Sequence, residues 1–124
     1  MMISRDEVLA IHDILLSRFG GRQGVRDEGL LDSAINRPFQ TFDGKELYPS
    51  AIDKAAAVFE SIVTNHPFID GNKRTAYVLM RLVLRESNLS LVSDEDDKYD
   101  FVILAASGKI SFKEIRDWIA SRLQ

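Results

Sequence analysis

A chain of 124 residues is the size of one ordinary domain, and a composition of 45% hydrophobic and 28% charged residues suits a protein that buries a core. A formal net charge of −3 argues against an extended nucleic-acid footprint, and the absence of cysteine excludes disulfides, thiolate metal sites and a cysteine nucleophile. The opening MMISRDEVLA has neither the cationic region nor the apolar stretch of a secretory signal, and no apolar run approaches the ~20 residues that span a bilayer, so a cytoplasmic protein with no membrane partner is expected.

Ser4 with Glu7 reads as a capping box, and Val8, Ile11, Leu15 and Leu16 follow at helical spacing, so a first helix is predicted to about Phe19, closed by Gly20 and Gly21. His12 and Asp13 within it form an HD dipeptide. Two histidines in the whole chain cannot furnish a metal-dependent phosphohydrolase site, so His12 is read as a surface or packing residue. After GGRQGVRD, Asp27 caps a short helix carrying Leu30, Leu31, Ala34 and Ile35, stopped by Pro38. Residues 39–49, FQTFDGKELYP, are the non-helical exception. Asp43 and Gly44, set between Thr41, Phe42 and Leu47, carry the signal of a type I′ hairpin turn and suggest a small flap.

Ser50 caps the next helix, whose Ile52, Ala55, Ala56, Phe59, Ile62 and Val63 keep one apolar face until about Asn65. From Asn72 to about Glu86 the residues are apolar nearly all round, which predicts a central, mostly buried helix. Arg74, Arg81 and Arg85 nevertheless share one line along it, at i, i+7 and i+11. Either the stripe extends a phosphate site or, as the preferred reading, Arg81 and Arg85 pair with carboxylates at Asp94 to Asp97. The acidic run SDEDDKYD lacks the glycine and terminal glutamate of a calcium loop; it supplies the cap and first-turn carboxylates of a helix holding Phe101, Val102, Leu104 and Ala105, stopped by Gly108. A second capping box, Ser111 with Glu114, opens the last helix through Trp118 and Leu123. About six helices result, in an all-α fold of a single domain over residues 1–124, with no repeat and no linker.

The stretch NHPFIDGNKRTA, residues 65–76, carries the chemistry. Pro67 should hold His66 in extended backbone at the end of one helix, and Gly71 should turn the chain into the next, which begins at Asn72. A helix N-terminus leaves N–H groups unpaired and carries partial positive charge, so it suits an anion. Lys73 and Arg74 lie in the first turn, where cations oppose the helix dipole unless an anion sits beside them. Gly71, Asn72, Lys73 and Arg74 together suit a polyphosphate, and Asp70 can hold a divalent ion that bridges it. His66 is then placed as a general base for an attacking hydroxyl, and Phe68 as the anchor of the loop. Taken singly, each residue has a blander use: a hydrogen-bonded histidine, a turn-forming aspartate, a solvated cation pair. A helical module that recognises an anion without catalysis is the alternative of another class.

These residues resemble the signature of the Fic/Doc family. His66, Phe68, Asp70, Asn72, Lys73, Arg74, Thr75 and Ala76 match the Doc form HxFxDxNKRTA, and GGRQGVRDEGLLDSAINRP and ASGKIS are similar in kind and placement. Lys73 replaces the second glycine of the Fic form HPFxxGNGRxxR, and Tyr77 replaces its second arginine, while Gly71 is shared with Fic. The resemblance implies an all-helical bundle around the motif helix, with ATP and Mg²⁺ as cofactors. It implies a kinase that phosphorylates a serine or threonine hydroxyl of elongation factor Tu from an inverted nucleotide. Fic-type transfer of AMP is the runner-up. It also implies that the flap, centred on Thr41, Phe42, Asp43 and Gly44, holds the target by strand addition. The inhibitory pattern [ST]xxxE[GN] is missing, since Glu28–Gly29 is preceded at the required position by Gly24. Restraint is therefore expected from a separate antitoxin of the Phd type.

Overall fold

A computed structural model describes residues 3–124. It contains six α-helices: α1 (Arg5–Phe19), α2 (Glu28–Asn36), α3 (Ala51–Asn65), α4 (Asn72–Glu86), α5 (Glu95–Ala106) and α6 (Phe112–Ser121). A 3-10 turn (Arg37–Phe39) follows α2, and a hairpin of β1 (Thr41–Phe42) and β2 (Lys45–Glu46) leads towards α3. The fold is all-α with one small antiparallel hairpin, as predicted.

The helix starts follow from local chemistry. The side chains of Ser4, Asp27, Ser50, Asp94 and Ser111 each accept a backbone N–H from the first turn of the helix they precede. The Ser111–Glu114 box is complete, and Ser50 forms another with Asp53. At Ser4 the second arm differs: the Glu7 carboxylate takes the serine hydroxyl at 2.9 Å. Pro38 does not end the chain's helical path outright, because the 3-10 turn accommodates it at a position that needs no N–H.

Helix α3 is the most enclosed element, packed by α2, α4, α5, α6 and the 3-10 turn. Ala55, Ala56 and Ala57 let its neighbours approach closely, and Phe59, Ile62 and Val63 are fully buried. Helix α4 lies along it and buries Ala76, Leu79, Met80 and Leu84. Burial of α4 is one-sided rather than all-round, because Arg74, Arg81 and Arg85 hold its outer face in solvent and leave Leu82 partly exposed. Phe59, Phe101 and Trp118 stack in series, at 4.9 Å and 3.8 Å between ring centroids, and so join α3, α5 and α6. Arg116 adds an ion pair from α6 to the buried carboxylate of Asp53 at 2.6 Å.

The hairpin turn is of the primed kind, with positive φ at Asp43 (54°) and Gly44 (77°) and pairing of Thr41 with Glu46 and Phe42 with Lys45. All four strand residues are exposed, Phe42 most visibly. Lys54 ties the hairpin to α3 by donating to the Glu46 carboxylate and to the Tyr48 carbonyl. Among the described residues, no helix is long and apolar enough to cross a membrane.

Candidate functional site

The passage from α3 to α4 is built as a locked loop. Phe68 is fully buried and pins its centre. Asn72 closes the loop on itself: its Oδ1 accepts the Phe68 N–H at 2.9 Å, and its Nδ2 donates to the Phe68 carbonyl at 3.0 Å. The side-chain amide is thereby engaged inside the loop, and the backbone N–H is what Asn72 presents at the start of α4. Gly71 precedes it with φ 77°, and a Cβ there would stand 3.4 Å from the His12 ring.

His66 departs from the expectation of extended backbone. It is the C-cap of α3 in the left-handed region, φ 49° and ψ 62°, with its N–H donating to the Ile62 carbonyl at 3.1 Å. The bias that Pro67 places on its predecessor is overridden, because tertiary contacts hold the carbonyls that follow. A second strand of chain supplies them. Residues 21–27 run beside the loop, with Val25 bridged to Phe68, Ile69 N–H donating to the Gly24 carbonyl at 3.0 Å, and the Arg26 and Asp27 N–H groups donating to the Pro67 carbonyl at 2.7 and 3.1 Å. Gly21 permits this approach, since a Cβ there would sit 3.0 Å from an Asp70 oxygen.

Residues 21–27, the strap beside the loop, also reach the Asp70 carboxylate. One carboxylate oxygen accepts the Arg22 N–H at 3.1 Å and the other the Gly71 N–H at 2.9 Å. These backbone donors, Arg22 first, hold the Asp70 carboxyl below its ordinary value, against a smaller opposing effect of desolvation. Each oxygen keeps further acceptor capacity. Among the described residues no group of three potential ligands is assembled, and Asp70 is the carboxylate of this loop that could share a cation with a ligand's oxygens.

His12 has a larger part than sequence suggested. It is 2% exposed, stacks on Phe68 with centroids 3.8 Å apart and planes 9° apart, and its Nε2 lies 2.8 Å from the Asp70 carbonyl oxygen. A carbonyl only accepts, so the proton belongs on Nε2. It is a packing residue, as expected, and also the peg on which the Asp70 backbone hangs.

The N-terminus of α4 is the exception among the α-helices of the described residues, for no side chain caps it. Its first N–H groups have no intrahelical partner. Lys73 and Arg74 lie exposed in that turn, Arg74 with its guanidinium 3.9 Å from the Phe19 ring centroid. His66, Asp70, Gly71, Asn72, Lys73 and Arg74 all line one open cavity of about 700 Å³ that runs along the outer face of α4 to α5. The flap residues Thr41, Phe42, Asp43 and Gly44 are not among its walls.

The preferred reading of the arginine stripe does not hold. Neither Arg81 nor Arg85 pairs with the acidic segment among the described residues. Asp97 is taken by Arg122, which contacts both its oxygens, and by the Ser93 hydroxyl at 2.8 Å. That arrangement drops the Asp97 carboxyl to about 2, chiefly through Arg122 and next through Ser93. Arg81 instead lines the cavity with Arg74, beside Lys98 and Tyr77. Tyr77, in the position of the Fic arginine, has its hydroxyl pushed up by burial. Arg26, which sequence reading passed over, also borders the cavity, and Gly21 and Gly24, which let its segment approach, were the available signal.

Residues 2–84 match the family model described as Fic/DOC family. The chain is 43% identical over 94 residues to a protein named Toxin Doc from Mycolicibacterium smegmatis, a match covering 76% of this chain and 70% of the relative. It is 33% identical over 115 residues to one named Protein kinase doc from Escherichia phage P1, covering 93% of this chain and 90% of that one.

Proposed function

Because the chain belongs to the Fic/Doc family, we propose that it is a Doc-type toxin, a kinase that moves the γ-phosphoryl group of ATP to a serine or threonine hydroxyl of elongation factor Tu and so arrests translation in the cytoplasm. One observation carries the reading: an uncapped helix N-terminus, two first-turn cations, a carboxylate and an exposed imidazole share a single cavity. Among the described residues, five α-helices offer a first-turn N–H their own serine or aspartate side chain. The sixth leaves it for a ligand, and Lys73 and Arg74 oppose its dipole until an anion arrives.

The Lys73 and Arg74 side chains and the first N–H groups of α4 grip the phosphates and spread their charge. Asp70, its carboxyl held below the ordinary value by backbone donors, is the residue that would hold Mg²⁺, whose charge would make the phosphoryl group easier to transfer. His66 accepts the proton of the attacking hydroxyl. Catalysis of this kind is mostly positioning, which the Asn72 lock and the strap supply. The hairpin offers free strand edges and the exposed ring of Phe42, a suitable dock for an extended segment of the target.

A second reading, transfer of AMP, is favoured by Gly71 alone, which the Fic form shares. Against it stands Lys73 at a glycine position of the phosphate cradle and Tyr77 in place of an arginine fork. Incubation of elongation factor Tu with the protein, ATP and Mg²⁺, followed by mass spectrometry, separates them: a phosphoryl increment supports the kinase and an adenylyl increment the alternative. His66→Ala should abolish either. If His66→Ala still arrests translation fully, the non-catalytic module takes their place.

A toxin of this kind needs a partner to silence it. The cavity is open, cationic and bordered by the exposed side chains of Phe19, Ile69 and Tyr99, a surface suited to the C-terminal segment of a Phd-type antitoxin.

A further inference from the structure

Arg26 stands 40 residues before the motif histidine, yet its guanidinium donates from Nε to the His66 carbonyl at 2.6 Å and from Nη2 to the Asn65 carbonyl at 2.7 Å. Its own backbone N–H donates to the next carbonyl, that of Pro67, at 2.7 Å. Three successive carbonyls at the end of α3 are thus held by one residue. The last carbonyls of a helix carry partial negative charge and lack intrahelical donors, so a cation is well placed there. A planar fork meets two neighbouring carbonyls at once, as an ammonium does not.

The residue so held is a non-glycine in left-handed backbone, followed by a proline that disfavours helical geometry. Such a conformation persists only where its surroundings over-determine it. Turning His66 back to extended backbone would swing its carbonyl away from Arg26 and re-aim the imidazole.

We propose that Arg26 is a positioning residue for His66, fixing the left-handed cap of α3 and with it the direction in which the imidazole enters the cavity. The consequence for rate rests on the transferase reading above; the consequence for backbone conformation does not. Arg26 also borders the cavity, so direct binding of a phosphate is the competing role. With Nε and Nη2 committed to carbonyls, positioning is the role the contacts describe.

The test uses the full chain as Arg26→Ala and Arg26→Lys, with folding checked by circular dichroism. In NMR spectra without nucleotide, the His66 Cα shift and its amide coupling should leave their left-handed values in Arg26→Ala and return part of the way in Arg26→Lys. In the transfer assay, kcat should fall on the order of 10–100-fold in Arg26→Ala, as expected for a reacting group displaced by about an ångström, while the ATP dissociation constant stays within about twofold. Unmoved His66 signals would overturn the proposal, as would a large loss of ATP affinity with kcat retained. Should the original protein transfer nothing, the transferase reading falls while the NMR comparison still decides the role of Arg26. If Arg26→Ala does not fold, Arg26→Lys carries the same comparison.

Discussion

His12→Phe isolates one contact on which the site depends. Phenylalanine retains an aromatic ring to stack on Phe68, removes the Nε2 donor to the Asp70 carbonyl and puts a ring carbon in its place. Depriving a buried carbonyl of its donor costs about 1–3 kcal/mol, and Asp70 lies at the surface, where water can replace part of the bond, so about 1 kcal/mol is expected from this source. A ring carbon must also stand farther from an oxygen than the present 2.8 Å, since C–H···O contacts run at about 3.3–3.6 Å. The loop must therefore shift by roughly half an ångström, adding about 1 kcal/mol of overpacking. For 124 residues the unfolding entropy is about 0.26 kcal/mol/K, so a total of about 2 kcal/mol lowers Tm by roughly 8 °C. The same shift moves Asp70 and the start of α4, and transfer should fall by about tenfold. Thermal melts followed by circular dichroism and the phosphorylation assay check both. A Tm and a rate equal to those of the original chain would refute the claim that His12 suspends the Asp70 backbone.

Two further outcomes follow from other parts of the molecule. Asp97 has its carboxyl lowered from 3.8 to about 2, so the stability it contributes is complete above pH 3.8 and is lost as the pH falls towards 2. The Tm difference between the original and Arg122→Ala should shrink across that window, and a difference independent of pH would show that the pair is not the cause. Gly44→Val places a β-branched residue at φ 77° in a hairpin that contributes nothing to the core, so stability should change by less than about 1 kcal/mol and ATP binding should persist. Modification of the protein target should drop sharply in that variant, and target modification at the original rate would remove the flap from the docking surface.

The helices were legible because their signals are local. Ser4, Asp27, Ser50, Asp94 and Ser111 cap within three residues of themselves, and Asp43–Gly44 selects its turn with two residues. The candidate site was legible for a related reason: His66 to Arg74 is one continuous stretch, so spacing alone brought an imidazole, a carboxylate and a helix N-terminus together. What sequence could not show are the supports drawn from a distance. His12 is 58 residues from Asp70, and Arg26 is 40 residues from His66. The backbone of His66 was misjudged for the same cause, because the local rule before a proline yields when three carbonyls are held by another segment. The arginine stripe went the same way. Sequence spacing could align Arg74, Arg81 and Arg85, but the choice of partner for Asp97 belonged to Arg122, delivered by the packing of α6.

This division has a physical consequence for how the site tolerates change. The groups that would touch a ligand are carried by one short loop and one helix end, while the constraints on that loop come from α1 and from residues 21–27. The loop's own lock, Asn72 on Phe68, fixes its shape but not its place, since both partners move with it. Place is fixed by His12 below and Arg26 beside. Loss of Arg26 should therefore weaken chemistry more than it weakens the affinity for phosphate, because the helix N-terminus that attracts the anion remains formed when the imidazole is no longer aimed, whereas loss of the His12 bond shifts that N-terminus and should weaken both.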